Sequence, residues 1–191
     1  MAAGRAADAV TDPSELVELV DGRIRDIPDF PQPGVVFKDI TPLLADHDAF
    51  TAVVQALAAA GRDEAGRVVV DKVVGMEARG FILAAPVALA LGVGFVPVRK
   101  PGKLPWHTRG VAYELEYGEE TLEMHTDALA PGERVLLVDD VLATGGTARA
   151  TAELVRQAGA EVRGIAVLLE LTFLAGRQQL DAIPLSALRS V

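Results

Sequence analysis

Cysteine is absent from the 191 residues, which excludes disulfides, thiolate nucleophiles and Cys-based zinc sites. That absence suits a cytoplasmic location. Histidine is scarce: His47, His107 and His125 stand far apart, without metal-ligand spacing. The chain has no GxxxxGK[ST] loop, and no GxGxxG follows a strand-like run. Bases are the minority charge, and a formal net charge of −9 excludes nucleic acid and anionic membranes as expected partners. The first ten residues, MAAGRAADAV, carry no apolar targeting core and read as a flexible tail, 1–10, ahead of a single domain over 11–191. A charge-free run, Phe81 to Val98, is broken by Pro86, Gly92, Gly94 and Pro97. It divides into a buried helix, a glycine stop and a strand rather than forming a membrane span. There is no internal repeat and no low-complexity stretch.

With 50% hydrophobic and 24% charged residues the composition is that of an ordinary soluble globule. A chain of this length buries roughly 70% of its unfolded-state surface. The stretch that organises the rest is VLLVDDVLATGGT, Val135 to Thr147. Four apolar residues without polar alternation describe a strand buried on both faces, the kind found in parallel sheets flanked by helices. Ligands in such sheets bind beyond the strands' carboxyl ends. Asp139 and Asp140 stand there, able to accept hydrogen bonds from sugar hydroxyls or to approach hydrated Mg2+. In Ala143-Thr144-Gly145-Gly146-Thr147 the glycines let backbone approach a ligand, the threonines add hydroxyls, and a helix from about Thr147 points free N–H groups at an anion. Diol-binding acids followed at once by an anion-binding turn describe a ribose 5-phosphate site.

Elsewhere the pattern alternates between helix and strand. Asp12-Pro13-Ser14-Glu15 starts a helix, whose apolar face (Leu16, Leu19, Val20, Ile24, Ile27) is expected to run to about residue 27. The proline-shaped loop DFPQPGVVFKDITP follows, a lid or pocket wall or else a segment docked on the core. A second helix is expected from Asp48 to Ala60, with Phe50, Val53, Val54 and Leu57 inward. A strand from Lys72 to Met76 then delivers Glu77-Ala78-Arg79-Gly80 to another helix start, and a strand over 94–98 delivers Arg99-Lys100-Pro101-Gly102-Lys103. Residues 72 to 112 carry six bases and one acid, +5 in a chain of net −9, which leaves −14 elsewhere. Such a window is a local holder of polyanions. Val111 to Tyr117 and Thr121 to His125 read as a hairpin turning over Gly118-Glu119, whose glutamates form either a solvated face or a hood over a site. Further strands are expected over Val162 to Leu171 and Ile183 to Leu188.

The acidic pair with ATGGT resembles the phosphoribosyl pyrophosphate (PRPP) signature of the type I phosphoribosyltransferases. GVVFKDITP, ARGF, RKPGKLP, YELEYG and LLELTFLAGR extend the likeness, in order, to the adenine-using members, over roughly Asp12 to Leu188. The resemblance implies an α/β fold of the type I phosphoribosyltransferase kind, a central mostly parallel sheet flanked by helices with a β-hairpin hood, and a homodimer. It implies transfer of the phosphoribosyl group of PRPP to adenine with Mg2+, giving AMP and pyrophosphate. By motif, Asp139 and Asp140 would bind the ribose hydroxyls and Ala143 to Thr147 (with Thr144, Gly145 and Gly146) the 5-phosphate. Arg79, Arg99 and Lys103 would meet the pyrophosphate, Arg79 and Lys103 also counting as catalytic. Val36 and Lys38 would read the base through backbone groups, with Phe37 and Val141 enclosing its ring. Glu116 is the implied general acid/base, Tyr117 belongs to the hood, and Mg2+ is carried by substrate and water without a direct protein ligand. Two departures stand out: Lys38 occupies a usual Arg position and Glu77 a common Asp position. The alternatives are a transferase for hypoxanthine, guanine or xanthine, and a non-catalytic PRPP-sensing regulator.

Overall fold

The structure, a computed structural model, describes residues 12–115, 118–180 and 182–191. The tail expected over 1–10 and the hood residues Glu116 and Tyr117 lie outside the described residues. The chain forms two compact units, residues 1–55 and 56–191.

In the first unit, helix α1 (Pro13–Asp21) begins as the sequence indicates, with the Asp12 carboxylate accepting from the Ser14 backbone N–H at 2.9 Å and from its hydroxyl at 2.7 Å. It does not reach residue 27. The Gly22 N–H caps it by bonding to the Glu18 carbonyl, and the chain continues as strand β1 (Arg25–Pro28), antiparallel to β2 (Val36–Asp39). So the proline-rich loop encloses a short hairpin. Its register sets Arg25 opposite Asp39 and Asp26 opposite Lys38, and both couples close as ion pairs at 2.7 Å. Opposite charges facing across two strands favour this pairing over continued helix. A short helix α2 (Thr41–Ala45) leads to α3 (His47–Ala59), where Asp46 accepts from the Asp48 and Ala49 backbone N–H groups. Ala49, Val53, Val54, Leu57 and Ala58 are buried, while Phe50 is half-buried.

The second unit is built on a five-stranded, all-parallel sheet in the order β4-β3-β7-β8-β9. Its strands are β3 (Lys72–Met76), β4 (Gly94–Val98), β7 (Arg134–Leu142), β8 (Glu161–Glu170) and β9 (Leu185–Ser190). Helix α4 (Gly80–Leu91) connects β3 to β4, and α5 (Gly146–Gln157) connects β7 to β8. The central strand carries the run Val135 to Val138, all fully buried, as a strand covered on both faces must be. It continues to Leu142, so the two acids lie within the strand's last turn of pleat rather than past its end. Because the sheet is parallel, the turns after β3, β4 and β7 emerge along one edge.

A separate antiparallel hairpin, β5 (Thr108–Leu115) and β6 (Gly118–His125), sets Thr108 opposite His125 and Leu115 opposite Gly118. Gly118 and Glu119, expected to form the turn, are instead the first residues of β6. Burial decides the register: Tyr113, Leu122 and Met124 must face the core together, and a slip would turn them to solvent.

At the opposite edge of the sheet, Arg134 grips Asp71 through its backbone N–H and two guanidinium contacts of 3.0 and 2.8 Å. Those side-chain and backbone bonds hold the Asp71 carboxyl at about 2, below its ordinary 3.8. A carboxyl depressed on folding stabilises the fold above its unfolded value and ceases to do so as pH falls through the folded one. Melting temperature followed from pH 5 to 2 should therefore fall more steeply for the native chain than for Asp71→Asn. The difference will be modest, since the pair is more than a third exposed.

Candidate active site

Two adjacent hollows, with Asp139, Val141, Ala143 and Thr147 common to both linings, occupy the edge where the turns emerge. A cavity of about 70 Å³ is lined by Met76, Asp139 and the loop 141–148. Beside it a cleft of about 450 Å³ is lined by Glu77, Ala78, Arg79, Asp139, Asp140, Val141, Ala143 and Thr147. The first suits a group of phosphate size and the second a larger polar ligand. Among the residues singled out from sequence, Arg79, Asp139, Asp140, Val141, Ala143 and Thr147 thus share one wall, and Thr144, Gly145 and Gly146 line the smaller hollow. Val36, Phe37 and Lys38 lie on β2 in the first unit, with Val36 52% exposed. The Lys38 ammonium is committed to Asp26 at 2.7 Å.

The smaller hollow owes its shape to Gly145, which caps α5 in the left-handed region at φ 87°. From there the first turn of α5 directs its unpaired N–H groups into the cavity, an anion site by construction.

The acids are electrostatically costly. Burial, and secondly the neighbouring Asp140 charge, push the Asp139 carboxyl well above its usual range. Its wall is close-packed: a methyl group on Gly80, at the start of α4, would stand 2.6 Å from Asp139 Oδ1. Asp139 Oδ1 accepts the Asp140 N–H at 2.9 Å. Burial also raises Asp140, against the pull of Arg79, whose Nε lies 2.7 Å from Asp140 Oδ2.

The cationic window is not bare. Arg79 meets Asp140, Arg99 meets Glu77 at 3.2 Å, Lys100 meets Glu120 at 2.8 Å and Lys72 meets Glu133 at 2.9 Å. Three acids from outside the window, Glu133, Asp140 and Glu120, thereby answer three of its six bases. No ion pair joins Lys103 to a carboxylate among the described residues; its carbonyl receives Arg99 Nη1 at 3.2 Å. Glu77 also accepts the Lys100 N–H at 2.8 Å, tying the end of β3 to the loop after β4.

Sequence reading passed over Tyr113, whose buried hydroxyl donates to Glu120 at 2.9 Å and lies 3.4 Å from Thr147 Oγ1. Its place in the YELEYG motif was the available signal. Burial raises its hydroxyl above 10.0. The bond to Lys100, followed by that from Tyr113, lowers Glu120, and Glu120 in turn raises Lys100. Gly176 was likewise passed over.

A parallel α/β sheet whose central strand ends in two acids and a glycine-capped anion turn defines a type I phosphoribosyltransferase. Residues 43–183 match the profile of the phosphoribosyl transferase domain. The chain is 70% identical, over 168 residues, to the adenine phosphoribosyltransferase of Nocardioides sp. (strain ATCC BAA-499 / JS614), covering 88% of this chain and 91% of that protein. Among solved structures, the adenine phosphoribosyltransferase of Rhodothermus marinus superposes with a TM-score of 0.87 at 49% identity, covering 93% and 99% of the two chains. The Saccharomyces cerevisiae enzyme, complexed with an imino-altritol bisphosphate and adenine, does so with a TM-score of 0.87 at 38% identity, covering 92% and 99%. This chain belongs to the adenine phosphoribosyltransferase family.

Proposed function

We propose that the hollows around Asp139 and Thr147 carry this family's reaction: transfer of the 5-phosphoribosyl group of PRPP to adenine, giving AMP and pyrophosphate in purine salvage. The observation that carries the reading is the adjacency of the two hollows at one strand end, a phosphate-sized cavity that shares Asp139, Val141, Ala143 and Thr147 with a cleft walled by two acids and Arg79.

In this reading Ala143 to Thr147 hold the 5-phosphate, and Asp139 and Asp140 accept from the ribose hydroxyls. Breaking the bond at C1′ leaves positive charge on the sugar and negative charge on the departing pyrophosphate. Half-buried Asp139 and buried Asp140 beside the ring oppose the first, and Arg79, Arg99 and Lys103 oppose the second. The ion pairs seen for Arg79 and Arg99 mean that the pyrophosphate must compete with Asp140 and Glu77 for them. Val36, Phe37, Lys38 and Val141 are assigned to the base, and Glu116, with Tyr117 on the hood, to proton transfer at its imidazole nitrogens. Since the Lys38 side chain is engaged by Asp26, recognition by the β2 backbone fits it better than a side-chain contact.

Asp139 and Asp140, on the wall of the cleft, are the residues that would face an Mg2+ arriving with the substrate, since carboxylate oxygens suit a hard, hydrated cation. When bound, the ion supplies charge neutralisation on the pyrophosphate. Turnover assayed with PRPP, Mg2+ and a panel of bases, with the nucleotides separated, should yield AMP in large excess; IMP, GMP or XMP as the main product would reject adenine.

A cytoplasmic homodimer completes the reading. No helix among the described residues is long and apolar enough to cross a membrane. Ile82 and Leu89 of α4, with Phe95 of β4, are 43%, 82% and 36% exposed, large apolar side chains of the kind that a second subunit covers. Leu89→Glu should convert the dimer to monomer in light scattering; a native chain already monomeric at micromolar concentration would refute it.

A further inference from the structure

We infer that Gly176, held in place by the Glu170–Arg177 ion pair, is a positioning residue for the 5-phosphate loop. The inference rests on the reading of Ala143 to Thr147 as that loop. It starts from a reciprocal contact between two glycines. A methyl group on Gly145 would overlap the Gly176 carbonyl oxygen and stand 3.0 Å from Gln179 Cβ. Conversely, a methyl group on Gly176 would overlap the Ala143 carbonyl oxygen and stand 3.0 Å from the Gly145 nitrogen. The floor of the phosphate loop is therefore backbone lying on backbone, with no side chain between to yield. Where the 176 turn sits decides where the 143–145 peptides sit.

The turn itself is fixed from two sides. Strand β8 ends beside β7, with the Leu171 N–H bonded to the Leu142 carbonyl at 2.9 Å, and the chain then doubles back through two short 3₁₀ turns, Thr172–Leu174 and Gly176–Gln179. Ala175, at φ 53°, makes the reversal between them. Arg177 then reaches back to Glu170 in a two-pronged pair, Nε to Oε1 at 2.9 Å and Nη2 to Oε2 at 2.6 Å, and its Nη1 lies 3.3 Å from the Leu185 carbonyl. Glu170 is only 6% exposed, so its charge depends on that fork. At the far end Leu180 is buried in the core. The segment runs from β8 to β9, none of its described residues lines the cleft or the smaller cavity, and it is nonetheless clamped at the residue next to Gly176. Such a clamp sets the angle of the loop's N–H groups toward an anion, where small displacements are costly.

The test is calorimetric titration of ribose 5-phosphate into Gly176→Ala, Arg177→Gln, Glu170→Gln and the Glu170→Gln/Arg177→Gln double variant, with thermal melts and steady-state kinetics. Roughly tenfold weaker ribose 5-phosphate binding and a matching rise in KM for PRPP are expected, with KM for adenine unchanged. The double variant should be no worse than either single one, since both break one pair. If Gly176→Ala does not fold, the side-chain variants decide. Folded variants that bind ribose 5-phosphate as the native chain does would overturn the inference, as would an equal rise in both KM values. Gly145→Ala separates the two readings. Should it also leave ribose 5-phosphate affinity intact, the loop is not the phosphate cradle; should it alone weaken binding, the cradle stands and the clamp does not position it.

Discussion

Asp139→Asn should melt at a higher temperature than the native protein and bind PRPP far more weakly. The carboxyl's folded value is raised, by burial first and by Asp140 second, so the charged form is disfavoured in the folded state. For an acid raised on folding the penalty is absent below its unfolded value, grows as pH rises toward the folded one, and is complete above it. At neutral pH the native chain bears that penalty, and an isosteric amide does not. Asn also retains the oxygen that accepts the Asp140 N–H, so the strand end keeps its bond. Each kcal/mol relieved raises Tm by roughly 2–4 °C in a chain of this size. Against this, loss of a charge-assisted hydrogen bond to a ribose hydroxyl is worth about 1.5–3 kcal/mol, a rise of roughly 10- to 100-fold in KM for PRPP. Calorimetry and initial-rate kinetics on one preparation suffice. An Asn variant that is less stable at pH 7 would show that the charge is compensated, and an unchanged KM would remove Asp139 from the sugar site.

Arg79→Gln should lower kcat/KM for PRPP by on the order of 10²-fold and move the acidic limb of the pH–rate profile upward. The first effect follows from removing a cation that faces the departing pyrophosphate. The second follows from the 2.7 Å contact with Asp140. Arg79 is what restrains Asp140 from rising further under burial, so without it the carboxyl protonates at a higher pH. Activity that requires the ionised pair would then decline sooner on acidification. Arg79→Lys, which keeps the charge and loses the fork, should fall between. A profile that drops in height without shifting would mean that Asp140 does not need to be ionised for turnover.

Much of the architecture was legible in residue order. The run Val135 to Val138 reads as a strand buried on both faces, and the acids and glycines after it read as the ligand edge of a parallel sheet. Asp12-Pro13-Ser14 marked a helix start through local hydrogen bonds alone, and Lys72 to Met76 was bounded by its own apolar pattern. Errors arose where distant partners outweighed local signals. The stripe through Ile24 and Ile27 suits a helix, yet Arg25 and Asp26 find opposite charges on β2, which no local window contains. Gly118 and Glu119 became strand rather than turn because the register is set by Tyr113, Leu122 and Met124, which share a buried face. The cationic window looked uncompensated because Asp140, Glu120 and Glu133 are remote in sequence from the bases that they meet.

The sequence by itself determined the layered α/β architecture, the sugar-phosphate motif and the family, since each depends on short stretches whose chemistry is complete in place. Only the tertiary structure decided that the acids are buried enough to be costly, that Arg79 answers one of them, and that the phosphate loop rests on Gly176. Burial and backbone contact are properties of what the chain folds against, and residues 143 and 176 meet only once β7 and β8 lie side by side.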